Sequence, residues 1–315
     1  MKKVLRGNKY FLIILLLQLF VPMGIIFNIL GVKDLKLALL ITHSLLFLLP
    51  AIIYIIITKQ PTKEVLKLNK LHLKDLFFII LLAIVCQPVM TFFSLISQFF
   101  FTNEIGGLIN NILETPYIIL LLLIAVMPAI TEEITIRGII LSEYEHVNTY
   151  LACAITGLLF GIMHLDPQQF LYTTILGFIL ALVVRITNSI YASALIHFIV
   201  NGSSITISKL MSKVEVSQAV TEQAEQINLM TISLGEKLIL VMVYGCIAMA
   251  FGIIAYFIIK KLISLNVKRG TITSNSMKLI SSESNYRKDY ENRFDKILNI
   301  AVFSTIIIIY IFVMI

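Results

Sequence analysis

Long apolar stretches that recur along the whole chain constrain its fold more than any other feature. A helix needs about 20 predominantly apolar residues to cross a bilayer. Hydrophobic residues make up 58% of the 315 positions and charged residues only 14%, whereas about a quarter of a soluble domain is charged. The sequence therefore predicts an all-α, polytopic integral membrane helix bundle with about 8–9 transmembrane helices. The predicted spans are 10–30, 37–58, 75–101, 117–143, 149–165, 169–186, 189–208, 236–260 and 297–315.

These spans divide into three parts. We predict N-terminal transmembrane helices in residues 1–116, a core in 117–208, and an outer loop with C-terminal transmembrane helices in 209–315. The first apolar run is too long for a signal peptide, so it is predicted to be a retained helix. The polar segment 209–235 is predicted to be a solvated connector. Three cysteines without metal-type spacing are predicted to be small core residues: Cys86, Cys153 and Cys246.

Lysine and arginine are concentrated before the first span, between the second and third, and after the eighth. The connection 102–116, which would lie on the opposite side, contains neither. Because basic loops remain in the cytoplasm, we predict a multi-pass cell-membrane protein with a cytoplasmic N-terminus. The Lys-, Asn- and Ile-rich composition suggests a bacterial plasma membrane. Loop lysines account for the net charge of +7, so the expected partner is the lipid bilayer and not nucleic acid.

The stretch TEEITIRG places three charged residues inside the fourth span. Glu133 and Arg137 are four residues apart and lie one above the other on a helix, where they can neutralise each other. Glu132 points to another face and has no partner nearby in the sequence. Pro128 can kink the helix just before it. A charge at membrane depth costs several kcal/mol, and this motif alone fits a structural ion pair and a functional site equally well.

Two further pairs of residues favour a functional site over a structural ion pair. Phe160 and His164 are one helical turn apart in one span, and His197 and Asn201 are one turn apart in another. Glu132, two imidazoles and an amide thus come from three helices that contain little else that is polar. Intramembrane ionisable groups normally face the bundle interior and mark a site. The other histidines are interpreted as a packing residue, His43, and as loop residues, His72 and His146.

Glycine spacing predicts where two of these helices approach each other closely. Gly157 and Gly161 form a small-xxx-small face beside His164, and Gly177 and Ala181 repeat the spacing in the next span. Such faces let neighbouring backbones come near. They support packing and carry no chemistry themselves.

The residue types permit two ways of activating a water molecule. Glu132 can act as general base and acid while His164 holds the same water, and His197 and Asn201 can donate hydrogen bonds to an oxyanion. Alternatively, Glu132, His164 and His197 could ligate Zn²⁺, although no His-Glu-x-x-His signature is present. A non-catalytic peptide-binding immunity protein or a transporter would also explain Glu132. Haem or copper binding is disfavoured because only His43 remains as a further intramembrane ligand.

In this order, the three motifs resemble those of the CAAX protease and bacteriocin-processing (CPBP) family of intramembrane proteases, which includes the type II CAAX prenyl endopeptidases. The family motifs are Glu-Glu-x-x-x-Arg, Phe-x-x-x-His and His-x-x-x-Asn. Here they read Glu132-Glu133 to Arg137, Phe160 to His164, and His197 to Asn201. The resemblance covers about residues 117–206.

The resemblance implies a membrane-embedded peptidase of the glutamate type, often described as a metalloprotease. Glu132 and His164 would activate the water, and His197 and Asn201 would form the oxyanion site. Supporting roles fall to Glu133, Arg137 and Phe160. The substrate would be a membrane-associated peptide or protein, as in bacteriocin or pheromone processing or self-immunity, and the cofactor would be none or Zn²⁺.

One expectation conflicts with this picture. At ~1.5 Å per residue, Glu132 would lie about 22 Å below Tyr117, and His164 about 21 Å above the opposite end of its helix near Tyr150. In a core of about 30 Å these depths differ by about 13 Å. A kink at Pro128, a tilt, a start of the fifth span near Glu143 or a wrong span would each remove this difference.

Overall fold

A computed structural model describes residues 2–103, 106–107, 109, 112–213, 229–273 and 293–314. Most of the predicted connector 209–235, residues 214–228, lies outside these described ranges. Seven helices are long and apolar enough to cross a membrane, or eight if α1 and α2, which meet at a bend of 61°, form one span. This confirms the all-α, polytopic fold. The helices are α1 Lys2–Phe20, α2 Met23–Ile29, α3 Leu35–Thr58, α4 Leu73–Gln98, α5 Tyr117–Glu143, α6 Thr149–Met163, α7 Pro167–Thr187, α8 Ile190–Met211, α9 Leu234–Lys268 and α10 Arg293–Met314.

Each predicted span coincides with a helix or, for the first span, with the bent pair α1 and α2. The largest differences are that α1 begins at Lys2 and not at residue 10, and that α9, the eighth predicted span, continues to Lys268. The fifth predicted span, α6, has 15 residues and is about 22 Å long. That is shorter than a bilayer core of about 30 Å, so α6 ends inside the bundle at membrane depth.

Two of the helices contain wide π-helical turns. These turns are Ser44–Leu48 in α3, and Leu122–Val126 and Ile134–Ile140 in α5. In α5 they flank the segment Met127–Glu133 on both sides. Such turns are rare and frequently occur at functional sites, because the extra residue rotates the following side chains around the helix axis.

Ion pairs join the basic connections at one end of the bundle. Arg6 in α1 donates two hydrogen bonds of 2.8 Å to the buried carboxylate of Glu143 at the end of α5. Lys67 binds Glu145 at 3.3 Å and Asn188 at 3.0 Å. The N-terminus and the α3–α4, α5–α6 and α7–α8 connections therefore meet at one end, as the basic-loop pattern requires. We call this end the basic end; it consists of residues 2–9, 59–72, 143–148 and 185–189.

The charge of Glu145 is maintained by its neighbours at the basic end. Burial favours the neutral carboxyl, but Lys67, Arg185 and Lys3 outweigh this and hold the pKa of Glu145 below its usual value. Glu145 lies in the connection between α5 and α6, and its side chain is half exposed. Its carboxylate therefore links α5 and α6 to the basic loops while it remains charged.

Helices α6 and α7 pack backbone against backbone, as the glycine spacing predicts. A methyl group added to Gly157 would lie 2.7 Å from the backbone nitrogen of Phe178 and 2.9 Å from the carbonyl oxygen of Thr174. One added to Gly177 would lie 2.9 Å from the Cα of Gly157. Only glycine fits at this crossing, so the two helices are held at the shortest separation available to them.

The prediction for the cysteines is confirmed at two positions and wrong at the third. Cys86 and Cys153 are buried, whereas Cys246 is exposed, and all three are free. Cys246 lies on α9, which packs mainly against α4 and has few buried residues. An apolar residue on such a peripheral helix faces lipid, which a hydropathy pattern cannot distinguish from the protein core.

Candidate active site

Glu133 and Arg137 form a buried ion pair at the site. Arg137 Nη1 donates to Glu133 Oε1 at 2.8 Å, and the two side chains are 0% and 1% exposed. Arg137 Nη2 also donates to the carbonyl oxygen of Gly177 at 3.3 Å. The absence of a side chain at Gly177 leaves that carbonyl within reach. The pair confirms the i,i+4 interpretation and ties α5 to α7.

Phe160 contacts three of the other motif residues. Its ring lies under the guanidinium of Arg137, with 4.1 Å between the guanidinium carbon and the ring centroid. Two imidazoles lie nearly perpendicular to the same ring, that of His164 at 4.9 Å and that of His197 at 5.7 Å between centroids. A cation over an aromatic face is stabilised by about 1–2 kcal/mol in a buried site. Phe160 thus positions both histidines beside the ion pair.

His197 lies between the two glutamates. Its Nδ1 is 2.9 Å from Glu133 Oε1, and its Nε2 is 3.9 Å from Glu132 Oε2. A carboxylate only accepts hydrogen bonds, so Nδ1 carries the proton in the pair with Glu133. Nε2 then carries a proton only when the ring is the doubly protonated imidazolium.

His164 follows the last residue of α6. Its Nδ1 donates to the carbonyl oxygen of Phe160 at 2.8 Å, because a carbonyl can only accept. In the neutral ring this leaves Nε2 as a free acceptor. The next residue, Leu165, has φ of +49°, a left-handed conformation that is unfavourable for a residue with a side chain. Such strain persists where the surrounding structure fixes it, commonly beside functional groups.

Glu132 has an unsatisfied oxygen at the centre of this arrangement. The residue is 8% exposed, and its Oε2 is buried without a hydrogen-bond partner in the described structure. His164 and His197 both lie within electrostatic range of its carboxylate. A buried carboxylate oxygen is costly without a partner, and a water molecule between Glu132 and the imidazoles would supply one.

Asn201 supplies a hydrogen bond that Pro128 cannot donate. Proline lacks the N–H that would bond to the carbonyl four residues earlier, which is that of Ile124. The side-chain Nδ2 of Asn201 donates to this carbonyl oxygen at 3.2 Å. Asn201 therefore joins α8 to α5, and the second proton of its amide is available for another acceptor.

All seven motif residues lie within a segment that matches a known family. Residues 114–203 match the family model described as type II CAAX prenyl endopeptidase Rce1-like. We refer to residues 114–203, which are similar to this family, as the Rce1-like domain. The predicted resemblance is thereby confirmed, and at the level of the family the match supports a CAAX-type intramembrane protease. Searches of curated proteins and of solved structures gave no match.

One residue near the site lies outside the Rce1-like domain, and the sequence interpretation missed it. His43 of α3 was interpreted as a packing residue, but its Nδ1 is 2.9 Å from Thr131 Oγ1. It lies within electrostatic range of Glu132, His164 and His197. The rule that intramembrane ionisable groups mark a site applied to His43 as well, and would have found it. His72 and His146 lie in connections, as predicted.

The predicted mismatch in depth becomes smaller when both residues are counted from the basic end. Helix α5 has 27 residues, or about 40 Å, so Tyr117 does not mark the membrane surface. Counted from the basic end, Glu132 is about 17 Å from Glu143 and His164 about 22 Å from Thr149. The remaining difference of about 6 Å is less than half of the predicted one. Phe160 contacts groups on both helices, so they converge.

The alternative zinc site is not supported by the arrangement. Among the described residues, no three His, Cys, Asp or Glu side chains are grouped closely enough to hold a metal ion. The set Glu132, His164 and His197 therefore does not fit Zn²⁺ in this arrangement.

Proposed function

We propose that this protein is an intramembrane endopeptidase that hydrolyses peptide bonds of membrane-associated peptides or proteins. The observation that carries the proposal is the buried, unpartnered Oε2 of Glu132 beside the imidazoles of His164 and His197. Glu133 also has an unbonded oxygen, but its other oxygen binds both Arg137 and His197. The Glu132 carboxylate accepts no hydrogen bond from the described residues, and its Oε2 lies 3.9 Å from His197 Nε2. The family match supports a membrane protease in general, without identifying its substrate.

Glu132 and His164 together can hold and activate one water molecule. The water donates one hydrogen to Glu132 Oε2 and the other to Nε2 of His164, whose Nδ1–H is fixed by the Phe160 carbonyl. Its oxygen lone pair is then free to attack a peptide carbonyl carbon. Glu132 takes the proton as the C–O bond forms, and returns it to the leaving amine nitrogen as the C–N bond breaks.

His197 and Asn201 can stabilise the oxyanion that forms during the attack. Asn201 supplies the amide proton that it does not give to Ile124, and His197 supplies Nε2–H as an imidazolium. In that state the net charge of the site is zero, because two cations, Arg137 and His197, balance the carboxylates of Glu132 and Glu133. A site without net charge suits a low-dielectric environment. Donors held in place before the reaction are worth about 3–4 kcal/mol each in such a role.

The substrate class and the orientation extend this proposal. We place the basic end in the cytoplasm of a bacterial plasma membrane, because basic loops remain on that side. The substrates are then bacterial peptides or proteins held at the membrane, as in bacteriocin or pheromone maturation or in self-immunity. The gathering of Arg6 and Lys67 at a single end supports this orientation.

A comparison of Glu132→Gln with wild type tests the proposal. Both proteins are purified in lipid nanodiscs and incubated with a farnesylated CAAX peptide and with peptides extracted from bacterial membranes; cut sites are read by mass spectrometry. Loss of the general base should lower turnover about 10²–10⁴-fold with an unchanged circular-dichroism spectrum. Glu64→Gln, at an exposed position in the α3–α4 connection, is the matched control. Equal cleavage by Glu132→Gln and wild type would refute the role of Glu132.

A further inference from the structure

The site has a contributor on a helix that precedes the Rce1-like domain. Resting on the proposed function, we propose that His43 of α3 is a positioning residue that anchors Thr131 and thereby holds Glu132 in its catalytic orientation. Thr131 directly precedes Glu132 in the chain, and both residues are buried.

The hydrogen bonds of Thr131 determine which ring nitrogen of His43 is protonated. The Thr131 hydroxyl donates its only proton to the carbonyl oxygen of Met127 at 3.0 Å. Its oxygen can therefore only accept from His43 Nδ1, 2.9 Å away, so Nδ1 carries the proton. In the neutral ring, Nε2 of His43 is unprotonated.

This part of α5 needs an anchor from another helix. Pro128 removes one backbone hydrogen bond, and π-helical turns lie on both sides of Met127–Glu133. The regular i,i+4 ladder therefore restrains Glu132 less than it would in an unbroken helix. His43 supplies a restraint from outside, and its own position is fixed by ring contact with Phe47 at 5.4 Å between centroids.

The surroundings of His43 place it at the site and not merely near it. The charged or titratable groups that act on it are Glu132 on α5, His164 after α6 and His197 on α8. Each of the three imidazoles around Glu132 has Nδ1 tied to a protein acceptor. His197 is tied to Glu133 and His43 to Thr131, so the two imidazoles hold the residues on either side of Glu132.

Loss of the anchor should affect the chemical step more than substrate binding. A catalytic group displaced by about 1 Å can lose about 10²-fold in rate. We therefore expect His43→Phe to lower kcat about 10–100-fold with little change in KM. Thr131→Val, which removes the acceptor, should give the same split, and the double variant should be no worse than either single one.

The choice of substitution separates positioning from other roles of the imidazole. In His43→Asn the amide nitrogen occupies the position of Nδ1 and can still donate to Thr131, so most of kcat should be retained. In His43→Gln the amide nitrogen occupies the position of Nε2, and kcat should fall as in His43→Phe. Wild-type kcat in His43→Phe, or equal losses in His43→Asn and His43→Phe, would overturn the proposal.

A second measurement decides the matter without any substrate. In full-length protein labelled with ¹⁵N-histidine in nanodiscs, ¹⁵N chemical shifts distinguish protonated from unprotonated ring nitrogens. The chain has five histidines, and the His43 signals are those missing in His43→Asn. We expect a neutral ring with Nδ1–H whose shift changes in Thr131→Val; an unprotonated Nδ1 overturns the proposal. Glu132→Gln is assayed alongside, so that failure of the peptidase proposal can be distinguished from failure of the His43 proposal. Full activity of Glu132→Gln would refute the peptidase mechanism, and the NMR result would still test the hydrogen bond from His43 to Thr131.

Discussion

Replacing Arg137 by methionine tests whether the buried ion pair holds the site together. The substitution keeps an unbranched apolar side chain but leaves Glu133 charged, buried and without its cation. Removal of one partner of a buried pair costs about 3–5 kcal/mol, and lost stacking on Phe160 adds about 1 kcal/mol. We therefore expect the free energy of unfolding to fall by about 4–6 kcal/mol. Glu133→Gln should cost about 3–5 kcal/mol, because Arg137 is then the unpaired charge.

The double variant Glu133→Gln/Arg137→Met contains no charge at either position. It should therefore be more stable than either single variant, which requires a coupling free energy of at least about 4 kcal/mol, the smallest loss expected for Arg137→Met alone. Unfolding can be followed by circular dichroism during titration of mixed micelles with sodium dodecyl sulfate, since the chain has no tryptophan. Additive losses, within about 0.5 kcal/mol, would show that the two side chains do not stabilise each other and would refute the argument.

Three further predictions concern Asn201, Gly157 and Glu145. Asn201→Leu should destabilise the protein by about 1–3 kcal/mol by leaving a backbone carbonyl unbonded; adding Pro128→Ala should restore stability in unfolding titrations but not cleavage, and no restoration would refute the pairing. Gly157→Ala should cost about 1–3 kcal/mol by separating two backbones, whereas the control Gly252→Ala, which has open space around it, should be neutral or stabilising by up to ~1 kcal/mol. The lowered pKa of Glu145 in the folded protein means that its stabilisation is complete above its unfolded-state pKa and is lost as pH falls through the folded-state value; Glu145→Gln should flatten that acid-side decline, and an unchanged pH profile would contradict the assignment.

The convergence of the motif residues was predictable because membrane physics leaves few alternatives. A charged group in an apolar helix must face the bundle interior, so Glu132, His164 and His197 had to share one interior. The i,i+4 spacing of Glu133 and Arg137 fixed their pairing. Helix positions followed from hydropathy alone, and α5 has the predicted ends.

Other features have only a partial signal in the sequence, or none. The proline rule identifies the carbonyl of Ile124 as unbonded, but no sequence pattern says that Asn201 reaches it. The start of α1 at Lys2 depends on Arg6, which Glu143 neutralises from a distant part of the chain. The π-helical turns of α5 leave no mark in the hydropathy pattern, because apolar residues occupy every face there.

The position of Glu132 along α5 sets the distance that a substrate of the proposed peptidase would have to cover. Counted along α5, Glu132 lies about 17 Å from Glu143 at the basic end. An extended peptide advances about 3.3 Å per residue, so a chain that enters from this end needs about five residues to bring a bond to Glu132. Folded surface loops and short tails would then not reach Glu132. Only segments that can enter the bundle in extended form would be cut.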